Sequence, residues 1–196
     1  MNTVLVGPAP RLALSVPGHG PLVVFLHGIG GHRQHWDDQL HVFGAHFTAA
    51  AWDARGYGDS DDYDGPLAFA DFSADLARVL DGFGAERAHL VGLSLGGRIA
   101  RDFALRHPAR VATLVLANTT AGFDTLTPDQ IEAFIRSRRV PLESGRTPRE
   151  LAPKLAAIGH PTSVVPLTSG LNVLARTSSG WSGGTDPRRE GSVRGD

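Results

Sequence analysis

Gly92-Leu93-Ser94-Leu95-Gly96, with Gly97 behind it, lies between an apolar run, Ala88 to Val91, and a helix-forming run, Arg98 to Arg106. A serine on a sharp strand-to-helix turn, crowded by neighbours that must be small, is the mark of a nucleophile elbow. Such a turn forces the serine into a sparsely populated backbone conformation that costs about 1–3 kcal/mol and persists mainly where a function needs it. Glycines at 92 and 96 fit because side chains there would clash when strand and helix fold back so tightly. The pentapeptide is short, so its surroundings have to carry the reading.

Outward from the elbow, strands and helices alternate. Leu12 to Val16 reads as a short strand and Leu22 to Leu26 as an unbroken apolar strand suited to burial on both faces. Trp36 to Phe43 is a short helix, and Phe47 to Trp52 a strand ending at Asp53. Gly56, Gly58, Asp59, Ser60, Asp61 and Asp62 form a loop. Phe69, Phe72, Leu76, Val79 and Leu80 recur at helical spacing, giving an amphipathic helix over Ala68 to Leu80, closed by Gly82 and Gly84. Ala88 to Val91 is a strand, Leu95 to Arg106 a helix stopped at His107-Pro108, and Val111 to Ala117 a further buried strand. This order predicts a mostly parallel sheet with right-handed crossovers and helices on both faces. Thr127-Pro128-Asp129 opens another helix through Arg138, and Pro148 opens one through about Ile158. Residues 161–196 are rich in Ser, Gly, Thr and Pro, and only Leu171 to Ala175 is apolar there; a disordered, low-complexity tail is expected.

The composition narrows the class. The 196 residues suffice for one domain with a sizeable core. A net charge of −1 favours neither nucleic acid nor an anionic membrane surface as partner. No apolar run reaches the ~20 residues that span a bilayer. Met1-Asn2-Thr3-Val4-Leu5 does not read as a secretory signal, and the absence of cysteine excludes disulfides and thiolate chemistry. A cytoplasmic location is expected.

At the carboxyl end of the first buried strand stands His27-Gly28-Ile29-Gly30-Gly31. Open parallel sheets place ligands at strand carboxyl ends, so this segment and the elbow can meet above the sheet. Together with Asp53-Ala54-Arg55-Gly56-Tyr57-Gly58-Asp59-Ser60, these blocks resemble the α/β-hydrolase superfamily in order and spacing over about residues 10–135. The resemblance implies an α/β-hydrolase fold: a mostly parallel sheet with helices on both faces, here lacking the last strands and helices. It divides the chain into a core over 1–121, the start of a helical lid over 122–160 and the tail over 161–196. Ser at the elbow sets the chain apart from the haloalkane dehalogenase and epoxide hydrolase branches, which use a carboxylate nucleophile. The strand exit Leu114 to Ala121 is similar to that of 3-oxoadipate enol-lactonases.

What the resemblance implies for chemistry is a serine hydrolase of a small carboxylic ester, lactone or thioester, working on a small-molecule acyl substrate without metal or organic cofactor. Ser94 would be the nucleophile. The backbone N–H groups of Leu95, at a helix N-terminus, and of Ile29, after the His-Gly pair, would receive the oxyanion. The family takes its base and acid from later in the chain, in the order serine, acid, histidine. After Ser94 only His107 and His160 remain, and His107 matches a structural helix-end position. His160 as base and Asp124 as acid are the candidates, with Asp186 a further carboxylate in the tail.

Because the later segments are missing, a truncated or frame-shifted member is expected, family-like to about Ile158. Two rivals follow: a catalytically incomplete remnant or binding module lacking the triad acid and histidine, and a C–C bond hydrolase using the same serine. Other motifs read blandly. His27 shapes its loop; Asp53 and Arg55 form a pair that braces a turn; Arg136, Arg138 and Arg139 lie on the solvated face and end of a helix. His32, His35, His41 and His46 lack the paired carboxylates of a metal site. Gly28-Ile29-Gly30-Gly31 lacks the third glycine of a dinucleotide fingerprint.

Overall fold

The computed structural model describes residues 3–119, 127–146, 171–177 and 180–185. In chain order the strands are β1 (Thr3–Val6), β2 (Leu12–Ser15), β3 (Leu22–Leu26), β4 (Thr48–Trp52), β5 (Ala88–Leu93), β6 (Val111–Ala117), β7 (Leu171–Thr177) and β8 (Gly180–Thr185). The helices are α1 (Asp37–Phe43), α2 (Phe69–Gly82), α3 (Leu95–Arg106) and α4 (Pro128–Glu143). A 3-10 turn, Arg33–Trp36, leads into α1.

The strands form one sheet in the order β1-β2-β4-β3-β5-β6-β7-β8. Its centre, β4-β3-β5-β6, is parallel, while β1 and β2 on one side and β7 and β8 on the other add in antiparallel fashion. β3 is the topological pivot. The chain leaves it to form β4 on one side and returns to form β5 on the other, so the topological switch point, where open α/β sheets place their ligands, falls at the carboxyl ends of β3 and β5.

Alternation along β3 explains its continuous apolar sequence. Leu22, Val24 and Leu26 face a cluster with Leu76, Val79 and Leu80 of α2 and Ile99, Ala100 and Phe103 of α3. Val23 and Phe25 face Leu40 of α1 together with Ala49 and Ala51 of β4. Both faces are therefore covered, as parallel strands require. α2 opens with the Asp71 carboxylate accepting from the Ala68 N–H at 2.8 Å, half of a capping box because Ala68 offers no side-chain acceptor.

Two compact units result, Met1–Thr120 with Ser169–Asp196, and Ala121–Thr168. In the second, α4 begins with a complete capping box: Thr127 Oγ1 accepts from Gln130 N–H at 3.3 Å, and Gln130 Oε1 accepts from Thr127 N–H at 2.9 Å. The helix expected through Arg138 continues to Glu143, because Pro141 falls in its last turn, where few later residues depend on the ladder. Segment 161–196, expected as a structureless tail, carries the hairpin β7–β8, which pairs with the exposed edge of β6. Sheet pairing there overrides a composition poor in strand formers. β1 is a further strand that the sequence did not disclose. The helix expected from Pro148 lies outside the described residues.

Candidate active site

Ser94 joins β5 to α3 with φ +52° and ψ −111°, a region that side chains other than glycine's rarely occupy. Its N–H donates to Ala117 O at 3.0 Å, and its carbonyl accepts from Arg98 N–H at 3.2 Å and from Thr119 Oγ1 at 2.7 Å. The conformation is thus fixed on three sides by backbone and one hydroxyl. The glycines around it answer to contacts. A Cβ on Gly96 would overlap the Leu26 carbonyl, one on Gly92 the Gly96 carbonyl, and one on Gly97 would crowd Thr119. Strand and helix come so close that only hydrogen fits.

Next to the elbow lies the loop that follows β3. Leu26 and Gly92 are register partners, so the two strand exits are neighbours. A Cβ on Gly28 would sit 3.3 Å from Ser94 Cβ, so the loop runs directly beside Ser94. Ile29 comes next, its side chain three-quarters exposed. Leu95 is the first residue of α3, where a backbone N–H has no acceptor within its own helix and the dipole is positive. Asn118, at the exit of the adjacent β6, is the other described non-glycine residue with positive φ, +45°. Backbone strain is therefore concentrated at neighbouring strand ends.

His27 is buried and both ring nitrogens are committed. Nε2 accepts from Ala54 N–H at 3.1 Å, which leaves the proton on Nδ1 to be donated to Gly28 O at 2.8 Å. Burial lowers its pKa from the ordinary histidine value, against the opposing pull of the Gly28 carbonyl and the Asp53 carboxylate. A neutral ring spent on two backbone bonds is a brace, as the sequence reading has it. Tyr57 packs on this ring at 4.9 Å, and burial raises its phenol pKa.

Asp53 and Arg55 do brace loops, but not as a pair. Asp53 is bound by Arg33, through the backbone N–H at 2.7 Å and through Nη1. Arg55 instead forks onto the buried Asp75, at 2.6 and 2.8 Å, tying the loop to α2. Each cation reaches a carboxylate twenty positions away in sequence, which turn geometry alone could not suggest. The motifs do not single out Arg33; its signal is that it is the only Lys or Arg between Arg11 and Arg55.

Among the remaining histidines, His107 caps α3: its N–H donates to Phe103 O at 2.7 Å and its ring packs on Phe103 at 4.9 Å. His32 and His35 stack at 4.0 Å, and His32 Nδ1 lies 2.6 Å from Gln34 Oε1. Among the described residues no three His, Asp or Glu side chains converge as a metal site would need. His160, Asp124 and Asp186 lie outside the described residues. No described helix is long and apolar enough to cross a membrane.

A strained serine at a parallel-strand exit, beside a glycine-rich loop and at a helix N-terminus, defines the nucleophile-elbow architecture. The family model for the alpha/beta hydrolase fold matches residues 21–155, and the chain belongs to that family. It is 40% identical over 104 residues to RutD of Variovorax paradoxus, named as a carbamate hydrolase, covering 52% of this chain and 39% of that protein. Among solved structures it is similar to a hydrolase from Pseudomonas aeruginosa, with TM-score 0.60, 31% identity and coverage of 78% of this chain and 62% of the other. It is also similar to Est816, described as an N-acyl homoserine lactone degrading enzyme, with TM-score 0.63, 26% identity and coverage of 79% and 63%. The chain spans roughly a third to a half of the length of the curated relatives it matches.

Proposed function

We propose that this chain carries the acylating half of a serine hydrolase acting on a small carboxylic ester, lactone or thioester. Ser94 Oγ adds to the acyl carbon while a histidine removes its proton. The carbonyl oxygen becomes an oxyanion received by the Leu95 and Ile29 amides. The alcohol or thiol then leaves with that proton, and water repeats the addition on the acyl-enzyme to release acid and free serine. His160 is the proposed base and Asp124 the acid that orients it. This chemistry asks for neither metal nor organic cofactor, and its partner is the small-molecule substrate.

The observation that carries the reading is the backbone of Ser94, held at positive φ at the start of α3 with Gly28 against its side. Strain maintained by so many contacts is what a presented nucleophile requires. The hydrolases among the relatives support the reaction class.

One observation favours a second reading. His107 is spent on capping α3, so the base rests on His160 alone. If that residue does not reach Ser94, the chain is a folded remnant with half a site. A fluorophosphonate probe decides between them. We expect the full chain to be labelled, Ser94→Ala not to be labelled, and His160→Ala to lose most of the rate, on the order of 10²-fold or more. A wild-type chain that stays unlabelled while folded by circular dichroism overturns the enzyme reading.

A further inference from the structure

The segment that carries Ile29 is pinned at both ends by buried side chains. Upstream, His27 holds Gly28 O and Ala54 N–H. Downstream, Arg33 is held by Asp53, a fully buried carboxylate at the end of β4. Asp53 Oδ1 accepts from the Arg33 N–H at 2.7 Å; Oδ2 accepts from Arg33 Nη1 and from the Asp59 N–H at 3.0 Å. Arg33 Nη2 continues to the Asp59 carboxylate and, at 3.0 Å, to Thr3 Oγ1 on β1. One buried carboxylate therefore joins this loop, the glycine-rich loop after β4 and the first strand.

Between the anchors the segment has little packing of its own. Ile29 projects to solvent, a Cβ on Gly30 would meet nothing within 4 Å, and the ties inside the segment are a turn bond from Gly31 N–H to Gly28 O at 3.0 Å and a bond from Gly30 N–H to the Tyr57 phenol oxygen. Burial thus cannot fix where the Ile29 amide points, whereas the anchors can. Buried ion pairs are poor sources of stability compared with apolar residues of the same volume. Their geometric effect is the better account of this one.

We propose that Arg33 and Asp53 are positioning residues for the oxyanion donor: the buried pair sets the downstream end of the loop and so the place and direction of the Ile29 N–H. The catalytic consequence rests on the acyl-enzyme reading; the positional claim rests on the loop alone. Neither residue touches substrate.

The test uses the full chain and three variants: Asp53→Asn, Arg33→Lys, and the double variant Arg33→Met/Asp53→Leu, which keeps the volume and discards the pair. Amide hydrogen exchange is read at residues 28–32 and, as a control, in β3 and β5; the fluorophosphonate rate is read beside it. Asp53→Asn and the double variant should exchange at least about tenfold faster at residues 28–32 with the strands unchanged, since losing an anchor opens a segment locally. Labelling should slow on the order of 10²-fold, as misplacement of a reacting group by an ångström does. Its pH midpoint should not move, and Arg33→Lys should recover part of the rate. Unchanged exchange at 28–32 in the folded double variant, or labelling at the wild-type rate, overturns the proposal. Should the wild-type chain not label at all, the acyl-enzyme reading falls, and the exchange comparison decides the positioning claim by itself.

Discussion

The two segments that meet at the carboxyl ends of β3 and β5 are both rich in glycine, yet they are held by opposite means. The elbow, Gly92 to Gly97, is fixed by exclusion: the backbone of Leu26 and Gly96 and the side chain of Thr119 occupy the space where side chains would be. The loop from His27 to Arg33 is fixed by attraction, through hydrogen bonds from buried His27, Arg33 and Asp53. Exclusion is indifferent to pH and salt but intolerant of a single methyl group. Attraction tolerates volume but depends on protonation and charge. A site built from both needs each to stay within its own limits.

The largest expected effect tests the first mechanism. Gly96→Ala places a methyl group on the Leu26 carbonyl, backbone that cannot turn aside, and should destabilise the fold by about 3 kcal/mol, the upper range for overpacking. Urea unfolding measures it; a loss below about 1 kcal/mol would mean that strand and helix separate easily and that exclusion is not what shapes the turn.

The second mechanism has a pH signature. His27 is neutral when folded, and its pKa is lowered by burial, so the unfolded chain binds its proton more readily. Its contribution is complete above the ordinary histidine value of about 6.5 and is lost as pH falls from there through the folded value. The slope for this one proton cannot exceed about 1.4 kcal/mol per pH unit. Urea midpoints between about pH 7.5 and 5.5 (about one unit to either side of that value) should show it in the wild type and show less of it in His27→Gln. Equal slopes in the two proteins would remove His27 from the account. Gly96→Ala, by contrast, should carry the wild-type pH slope.

The smallest effect is a gain. Ser94→Gly releases a side chain from positive φ and should stabilise the fold by about 1 kcal/mol, strain of 1–3 kcal/mol less the extra chain entropy of glycine. Thermal unfolding reads it as a modest rise in Tm. A fall would show that the serine conformation is comfortable and that the elbow stores nothing.

The sequence revealed most where one segment determines its own structure. β3 and β6 occupy the expected residues, and α3 starts at the expected Leu95, because each is an unbroken apolar or amphipathic run between clear breaks. The elbow was legible for the same reason: its glycines and serine are contiguous. β1 and the β7–β8 hairpin were not, since they are strands through pairing with β2 and β6 and not through their own pattern. The site divides in the same way. Ser94, Leu95 and Gly28 stand where their motifs imply, whereas the partners of Asp53 and Arg55 depend on which cation the folded chain brings near. No local pattern encodes a bond between residues 33 and 53.

Thr119 gives the elbow one further property. Its hydroxyl grips the Ser94 carbonyl, and its side chain lies where a Cβ on Gly97 would have to go. The same residue stands at the point where the polypeptide leaves β6 on its way toward α4. Shortening Thr119 would therefore release the Ser94 carbonyl and empty the space that forbids a side chain at Gly97, so one residue holds the elbow both by attraction and by exclusion.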